Sequence, residues 1–311
     1  MILPPPFSNA MILTGPTASG KSALALDVAE RLGAEIIAMD SMTLYRGMDI
    51  GTAKPSSEDR LRVPHHLIDV LDPWQRGSVA WWLDEAKKAV ADIESRGRQA
   101  LFVGGTPFYL KALVHGLFDS PPVDAELRRR LEKEAATIGP AEFHAKLIAV
   151  DPPSASRLHQ NDTRRLVRAL EVWCLTGKPL SEWQQQNWWG ETPEKLVDDF
   201  PRCLVVDLPR EQLYERINKR VELMVAEGWM EEVRTLRSSP DGWSKESAHA
   251  LGYREMGAVL DGRMALPDAV AEVQLRSRQF AKRQLTWFRG LAGCRFVEGK
   301  LTIDLWHRKM S

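Results

Sequence analysis

Eight residues near the N-terminus have the types and spacing of a phosphate-binding loop. The segment Gly15-Pro16-Thr17-Ala18-Ser19-Gly20-Lys21-Ser22 fits the pattern G-x-x-x-x-G-K-[ST]. Its glycines let successive backbone N–H groups point inward, and a following helix adds partial positive charge. The ammonium of Lys21 would meet the terminal phosphates, and the Ser22 hydroxyl is a candidate ligand for Mg²⁺. The pattern predicts a site for a phosphate chain without saying which molecule carries it.

The elements around this loop favour a real site over a chance match in a glycine-containing turn. Residues 11–14 form a short apolar run that ends at the loop, which predicts a buried strand. Residues 22–32 have apolar positions at helical spacing, and Gly33 ends that helix. A strand before the loop and a helix after it are the context that the motif requires.

Other polar groups follow the next predicted strands. Asp40 and Ser41 come after the predicted strand Glu35–Met39, and Thr106 comes after two glycines at the end of strand 100–103. Ligands of open α/β sheets collect at the carboxyl ends of strands. Asp40 could therefore act as a general base or bind Mg²⁺, although a helix cap or turn residue is the commoner role of a single Asp. Lys54, in the loop 51–55, could face phosphate or solvent.

The strand at 100–103 lacks a feature that hydrolysing phosphate-loop enzymes usually have. Those enzymes carry an Asp on a later strand to help hold Mg²⁺, whereas this strand ends in Gly104 and Gly105. Asp69 could take that part, at the end of a third strand predicted at Leu67–Val70. The two glycines make hydrolysis of a nucleoside triphosphate a less favoured hypothesis, and Asp69 keeps that hypothesis open.

Strands that alternate with helices predict an α/β fold, with a mostly parallel sheet flanked by helices. We expect a core formed by 1–117 and 201–311 and a helical insertion at 118–200. Further predicted helices lie at 79–95, 124–148, 162–176, 210–237, 252–260 and 267–290, further strands lie at 203–208 and 295–298, and 181–200 is predicted to be irregular.

Composition excludes several classes of protein. The chain has 311 residues, and no apolar run approaches the roughly 18 residues of a membrane-spanning helix. The first ten residues lack the charged and apolar regions of a signal peptide. Three scattered cysteines, Cys174, Cys203 and Cys294, form no metal-ligand pair and suit reduced thiols. We expect a cytoplasmic protein without a membrane partner.

The net charge is zero, with 42 basic and 42 acidic residues, which does not favour binding to nucleic acid. Local charge matters more than the total. Residues 271–290 carry five basic residues against Glu272 alone, a local surplus of four. Such a run is typically a solvated helix face, and contact with phosphates is the alternative.

Eight longer blocks of sequence follow one another along nearly the whole chain. They are GPTASGKS, MDSMTLYRGMDIGTAKP, VPHHLIDVLDP, VGGTPFYLKAL, NDTRRLVRALEV, LYERINKRVELM, LGYREM and AKRQLTWFR. In this order they resemble the bacterial tRNA dimethylallyltransferases, also called isopentenyl-tRNA transferases. The block at 39–55 together with that at 281–289 is far more specific than the glycine loop.

The resemblance implies a set of roles. The loop would hold the pyrophosphate of dimethylallyl diphosphate, with Mg²⁺ nearby, through Gly15, Thr17, Ala18, Ser19, Gly20, Lys21 and Ser22. The catalytic residues would be Asp40, as general base on the exocyclic amine of the adenosine 3′ of the anticodon, with Thr106 and Arg216 on the pyrophosphate. The tRNA anticodon stem-loop would contact Asp40, Ser41, Met42, Thr43, Thr163, Arg164, Arg165, Arg168, Gly252, Tyr253, Arg254, Lys282 and Arg283. On this basis the basic surplus at 271–290 is better explained by tRNA, and we expect a monomer.

Three other functions fit some of the residues. A small-molecule or nucleoside kinase shares the phosphate loop and an Asp base, but would use ATP and a short lid. An enzyme that prenylates free AMP should not need the basic C-terminal helix. An RNA-binding module could keep the loop as a vestige. The insertion's Trp183, Trp188 and Trp189 could stack on nucleotides, although packing under a loop is the more common role.

Overall fold

The computed structural model describes residues 7–117, 121, 123–185, 202–291, 293–298 and 306 of the chain. The chain divides into two compact units, one formed by 1–114 with 195–311 and the other by 115–194. The insertion was predicted at 118–200, and residues 118–120 and 186–201 at its limits lie outside the described residues.

The larger unit contains a six-stranded sheet in the order β3-β2-β4-β1-β5-β6, and every neighbouring pair is parallel. Parallel neighbours need crossover connections, so all carboxyl ends lie at one edge of the sheet. The strands are β1 Met11–Thr14, β2 Ala34–Ala38, β3 His65–His66, β4 Gln99–Gly104, β5 Cys203–Asp207 and β6 Cys294–Glu298.

Helices surround this sheet and account for the rest of the described core. They are α1 Lys21–Leu32, α2 Ser57–Arg62, α3 Val79–Ser95, α4 Pro107–His115, α10 Arg210–Ala226, α11 Trp229–Arg237, α12 Tyr253–Leu260 and α13 Leu266–Arg289, with a 3-10 helix at Ser247–His249. Of these, α1, α3, α12 and α13 begin and end within two residues of the predicted positions, the range predicted at 210–237 contains the two helices α10 and α11, and α2 and α4 were not predicted.

The smaller unit is helical throughout its described part and has a core of its own. Leu131, Phe143, Leu147, Leu166 and Val172 are buried together in it. Its helices are α5 Ala125–Ile138, α6 Pro140–Val150, α7 Pro152–Arg157, α8 Thr163–Thr176 and α9 Leu180–Gln185.

The strand predicted at Leu67–Val70 is wrong. The third strand is only His65–His66, and Leu67 and Asp69 have φ values of 60° and 56°. A left-handed backbone cannot continue a β-ladder, so the apolar residues of this segment pack from a turn.

Two other predicted elements differ in detail. The helix predicted at 124–148 is two helices, because Gly139 has a φ of 87° and Pro140 starts α6. Residues 181–185 of the segment expected to be irregular belong to α9, and residues 186–200 lie outside the described part of the chain.

Candidate active site

The phosphate loop lies between β1 and α1. Ala18 and Gly20 have φ values of 64° and 90°, and Gly20 is the N-cap of α1. No side chain caps this helix in the described structure. The N–H groups of its first turn therefore face the loop together with the positive end of the helix dipole, which is a ready anion site.

Gly15 is a position where only glycine fits. Its φ is 153°, and a Cβ atom there would lie 2.8 Å from the backbone oxygen of Val206. The loop therefore runs directly against the carboxyl end of β5, which explains why the pattern begins with this glycine.

Three cationic side chains approach the loop. A guanidinium nitrogen of Arg216 lies 3.5 Å from the Ser19 carbonyl oxygen, and Arg220 donates to the Thr17 hydroxyl. Burial lowers the pKa of Lys21 to about 8, with the charge of Arg220 acting in the same direction and that of Asp40 against it. Burial also lowers the pKa of Arg220. Positive charge gathered in this way, at a cost in solvation, suits a polyanion.

Gln284 of α13 connects the loop to β4. Its side-chain oxygen accepts from the Thr17 N–H at 2.8 Å, and its amide nitrogen donates to the Gly105 carbonyl at 2.6 Å. A Cβ atom at Gly105 would lie 3.6 Å from the Lys21 ammonium. The absence of a side chain at Gly105 therefore lets the backbone after β4 approach the Lys21 ammonium, which would bind a phosphate.

Asp40 and Thr106 lie at the ends of neighbouring strands. A Cβ atom at Gly104 would lie 2.0 Å from the Met39 oxygen, so β2 and β4 end in close backbone contact. The Ser41 N–H donates to the Thr106 hydroxyl at 3.1 Å, and the Met42 N–H donates to Asp40 Oδ1 at 2.9 Å. Asp40 is half-buried, with one carboxylate oxygen fixed by the backbone.

The Asp40 carboxylate shares a neighbourhood with the cations. Its charge raises the pKa of both Lys21 and Arg220, against the effect of burial. Burial raises the pKa of Tyr109, and the Asp40 charge adds to that rise. The Tyr109 ring stacks on Trp82 with centroids 4.4 Å apart. A carboxylate and a phosphate cradle are therefore combined at one edge of the sheet, with the buried Tyr109 and Trp82 rings packed beneath the end of β2.

Lys54 faces neither phosphate nor solvent, the two roles considered for it. Its side chain is 1% exposed and donates to Asp69 Oδ1 at 2.6 Å and to the Tyr45 carbonyl at 2.7 Å. The second Asp69 oxygen accepts from Arg60 at 2.6 Å. Since both oxygens of Asp69 are occupied by cations, a role for Asp69 in holding Mg²⁺ is not favoured.

The predicted tRNA residues in the larger unit differ in exposure. Ser41 and Met42 are half-buried, whereas Thr43 is 7% exposed. Gly252 and Tyr253 are buried, and the Tyr253 hydroxyl donates to Glu232 at 2.7 Å. The exposed members of this set are Arg254, Lys282 and Arg283.

Glu232 explains why Tyr253 lies inside. Its carboxylate also accepts from the N–H groups of Asp49, Ile50 and Gly51 at 2.8, 2.6 and 3.1 Å. Tyr253 therefore helps to hold the loop that follows β2, and its side chain does not reach the surface.

The insertion presents some of its predicted residues and pairs others. Thr163, Arg164 and Arg165 are exposed at the start of α8, where Arg165 also pairs with Asp162 at 3.3 Å. Arg168 instead donates to Glu171 at 2.7 Å and to the Pro121 carbonyl at 2.8 Å. Trp183 is half-buried under a Lys178 ammonium 5.0 Å from its ring, while Trp188 and Trp189 lie outside the described residues.

Two site residues were missed by reasoning from the sequence, Arg220 and Gln284. Arg220 lies one turn after Arg216, so that the i,i+4 spacing puts both on one face of α10. Gln284 is 2% exposed, and it shares the buried face of α13 with Ala281 and Phe288. A lone amide on an apolar stripe was the available signal for Gln284.

The described residues contain no cluster of three or more His, Cys, Asp or Glu side chains that could hold a metal. The Ser22 hydroxyl is exposed at the first turn of α1. A single hydroxyl fits a Mg²⁺ ion that takes most of its oxygens from water and a diphosphate, as this ion usually does.

Fold and site together define a P-loop α/β protein in which a carboxylate lies beside the phosphate cradle. The sequence pattern of the IPP transferase family matches residues 43–291, and that of isopentenyl transferases matches residues 8–66. The chain belongs to the IPP transferase family and is a transferase. The kinase alternative is not favoured.

The relatives support this membership over almost the full length. The chain is 48% identical to a tRNA dimethylallyltransferase of Geobacter metallireducens, over 91% of this chain and 90% of that one. It is 45% identical to one of Geobacter sulfurreducens, over 96% and 94%.

Solved structures agree with the fold. The tRNA isopentenylpyrophosphate transferase of Bacillus halodurans has a TM-score of 0.67 and 37% identity, over 97% of this chain and 95% of that one. A eukaryotic dimethylallyltransferase described as acting on tRNA has a TM-score of 0.75 and 26% identity, over 97% and 77%. No helix in the described part of this chain is long and apolar enough to cross a membrane.

Proposed function

We propose that the protein transfers a dimethylallyl group from dimethylallyl diphosphate to N6 of the adenosine that follows the anticodon in tRNA, and releases diphosphate. The observation that carries the proposal is the position of Asp40 at the end of β2, where the next residue, Ser41, bonds to Thr106 beyond β4, and Gln284 joins that end of β4 to the phosphate loop. A base beside a diphosphate cradle is what an amine needs to displace that leaving group. The names of the relatives support the two substrates.

The donor's diphosphate would lie on the loop formed by residues 15–22. Backbone N–H groups of the first turn of α1 would bind its oxygens, and Lys21 and Arg216 would add charge. Arg220, already bonded to Thr17, would complete the cradle. As the bond from prenyl carbon to oxygen breaks, the electron pair goes to the diphosphate, and this preorganised positive charge stabilises the transition state.

Mg²⁺ bound with the diphosphate would supply additional charge stabilisation to the leaving group. In this protein the Ser22 hydroxyl is the group within the site that could hold it.

The acceptor amine would lie against Asp40. Nitrogen forms the new bond to the prenyl carbon, and its proton passes to the carboxylate oxygen of Asp40. The bond from the Met42 N–H to Oδ1 fixes the orientation of that carboxylate. Thr106, held by the Ser41 N–H, would support both the donor and this loop. Such a positioned base contributes about 10²–10⁴-fold to the rate.

The tRNA would be bound by cationic surface away from the reacting atoms. Arg164 and Arg165 at the start of α8, and Lys282 and Arg283 on α13, are exposed and suited to phosphates. Flipping the adenosine out of a loop costs a few kcal/mol, which these contacts would offset. Since the phosphate cradle takes all its groups from one chain, we expect a monomer to be active. We expect the reaction to take place in the cytoplasm, where its tRNA substrate is found.

The test is transfer by the Asp40→Asn variant. We expect kcat to fall about 10²–10⁴-fold while the affinity for inorganic pyrophosphate stays within a few-fold. Mass spectrometry of the tRNA nucleosides reports the prenyl gain on adenosine. Asp84→Asn, an exposed substitution on α3, is the matched control. Normal transfer by Asp40→Asn would remove Asp40 as the base, and no prenyl gain with the wild-type protein would reject the reaction.

A further inference from the structure

Two of the three cysteines lie side by side on neighbouring strands. Cys203 is the first residue of β5 and Cys294 the first of β6, and the parallel register pairs them directly. Their Sγ atoms are 3.4 Å apart, and both thiols are free. The third cysteine, Cys174, is exposed on α8 in the other unit.

This placement meets the geometric demand of a disulfide. Adjacent strands lie about 4.8 Å apart, which falls within the range of about 4.4–6.8 Å between the Cα atoms of bonded cysteines. The two sulfur atoms need to approach by a little over 1 Å to reach a bond of about 2.05 Å. No rearrangement of the sheet is required.

The two thiols differ in their access to solvent. β6 is the last strand in the sheet order, and Cys294 on it is half-buried, whereas Cys203 is fully buried. The hydrogen bond with Cys294 and burial raise the pKa of the Cys203 thiol. A small oxidant therefore reaches the Cys294 sulfur first, while the Cys203 sulfur is shielded from solvent.

We propose that Cys203 and Cys294 form an oxidant-responsive pair whose disulfide joins β5 to β6 and leaves the phosphate site intact. Hydrogen peroxide, or another peroxide, oxidises the Cys294 thiolate to a sulfenic acid and is reduced to water or an alcohol. The Cys203 sulfur then attacks the Cys294 sulfur, so that the S–S bond forms as the sulfenic S–O bond breaks, and the hydroxyl leaves with the Cys203 proton as water. The two thiols supply both electrons and both hydrogens. A dithiol reductant reverses the reaction.

The position of the pair explains why the site would be spared. The cysteines lie at the amino ends of their strands, whereas Val206, three residues further along β5, contacts the phosphate loop. Three residues of strand separate the two features by about 10 Å. The bond would also close a chain segment that contains α10 to α13, and so restrict the unfolded state.

The experiment compares the reduced full-length protein with the same protein after brief treatment with hydrogen peroxide. Alkylation in denaturant followed by mass spectrometry should count three reactive thiols before treatment and one, Cys174, afterwards. A peptide joined through Cys203 and Cys294 should appear. The oxidised form should melt at a temperature several degrees higher, and its affinity for inorganic pyrophosphate should change less than two-fold.

Matched variants assign the effect. Cys294→Ser and Cys203→Ala should each abolish the linked peptide and the gain in melting temperature, whereas Cys174→Ser should retain both. The proposal is overturned if the treated protein keeps three reactive thiols, if it accumulates sulfinic acid without a bond, or if the link involves Cys174. A melting temperature that is unchanged or lower in the linked form, or a loss of pyrophosphate binding, would equally overturn it.

Discussion

The phosphate site and the helical insertion use their arginines in different ways. Around the loop, Arg216 and Arg220 contact a backbone and a hydroxyl oxygen, and no ion pair with a carboxylate is found for either among the described residues. In the insertion, Arg128 and Arg168 both donate to the fully buried Glu171. One region keeps its positive charge available for an anion, while the other neutralises it to hold helices together.

This difference distinguishes arginines whose charge is available to a ligand from arginines whose charge stabilises the fold. An arginine whose carboxylate partner is buried stays where it is whether or not a ligand is present. An arginine that contacts only neutral oxygens gains when an anion arrives. The distinction predicts which substitutions affect folding, which affect the donor and which affect the tRNA.

The largest effect is expected for Glu171→Ala, because it leaves two arginines without their buried partner. We expect the insertion to lose about 3 kcal/mol of unfolding free energy, the lower end for a broken buried pair since both arginines are partly exposed. Glu134→Ala, which removes a surface pair with Lys146, should cost less than about 1 kcal/mol. Hydrogen exchange across α5 and α8 measures the difference, and equal protection in the two variants would contradict it.

Gln284→Leu tests the phosphate side of the comparison. It deprives the Thr17 N–H and the Gly105 carbonyl of their shared partner, and an orphaned buried group costs about 1–3 kcal/mol. We expect the KM for the prenyl donor to rise about tenfold, with a much smaller change in the KM for tRNA. Gln279→Leu, at an exposed position on the same helix, is the control. If both variants raise the donor KM equally, Gln284 does not position the loop.

Donor affinity should depend on pH through Lys21. The pKa of Lys21 in the free protein is lowered to about 8, so the cation is present below that pH and is lost above it. A bound diphosphate favours the cation, and the dissociation constant should therefore rise by up to about tenfold per pH unit above pH 8.

Calorimetry with pyrophosphate between pH 7 and 9 measures this dependence. Lys21→Arg should bind with a flat profile in that range. Lys111 also has a pKa lowered to about 8 by burial, so Lys111→Arg, which should retain the sloping profile, separates the two lysines. A sloping profile in Lys21→Arg would assign the titration elsewhere.

The smallest effects should come from the exposed arginines of the insertion. If Arg164 and Arg165 contact tRNA phosphates as proposed, the Arg164→Ala and Arg165→Ala variants should each bind tRNA a few-fold more weakly, and the salt dependence should flatten by about one unit. Donor affinity should not change. Arg31→Ala, exposed on α1, is the control and should leave tRNA binding as it is. An unchanged salt dependence in both α8 variants would place the tRNA on other residues.

Local sequence patterns were sufficient to predict much of the fold and, within the site, the phosphate loop with Asp40 and Thr106. The phosphate loop follows from eight consecutive residues, and the strands at 11–14 and 100–103 follow from short apolar runs. Asp40 and Thr106 could be placed together because the carboxyl ends of parallel strands share an edge.

The remainder depends on contacts between distant segments. Nothing near Tyr253 in the sequence reveals that Glu232 accepts its hydroxyl, and nothing near Lys54 reveals that Asp69 accepts its ammonium. The strand predicted at 67–70 was wrong because its apolar residues sit in a left-handed turn, which periodicity does not report.

The bond between Thr17 and Gln284 also has a consequence for biosynthesis. The two residues are 267 positions apart. At roughly 5–20 residues per second, the ribosome needs on the order of 10–50 s between them. The insertion, whose core lies within residues 127–183, can form its own contacts during that interval. A nascent chain can therefore hold a folded insertion before Gln284 exists to support the phosphate loop, so that the loop gains this bond only when synthesis is nearly finished.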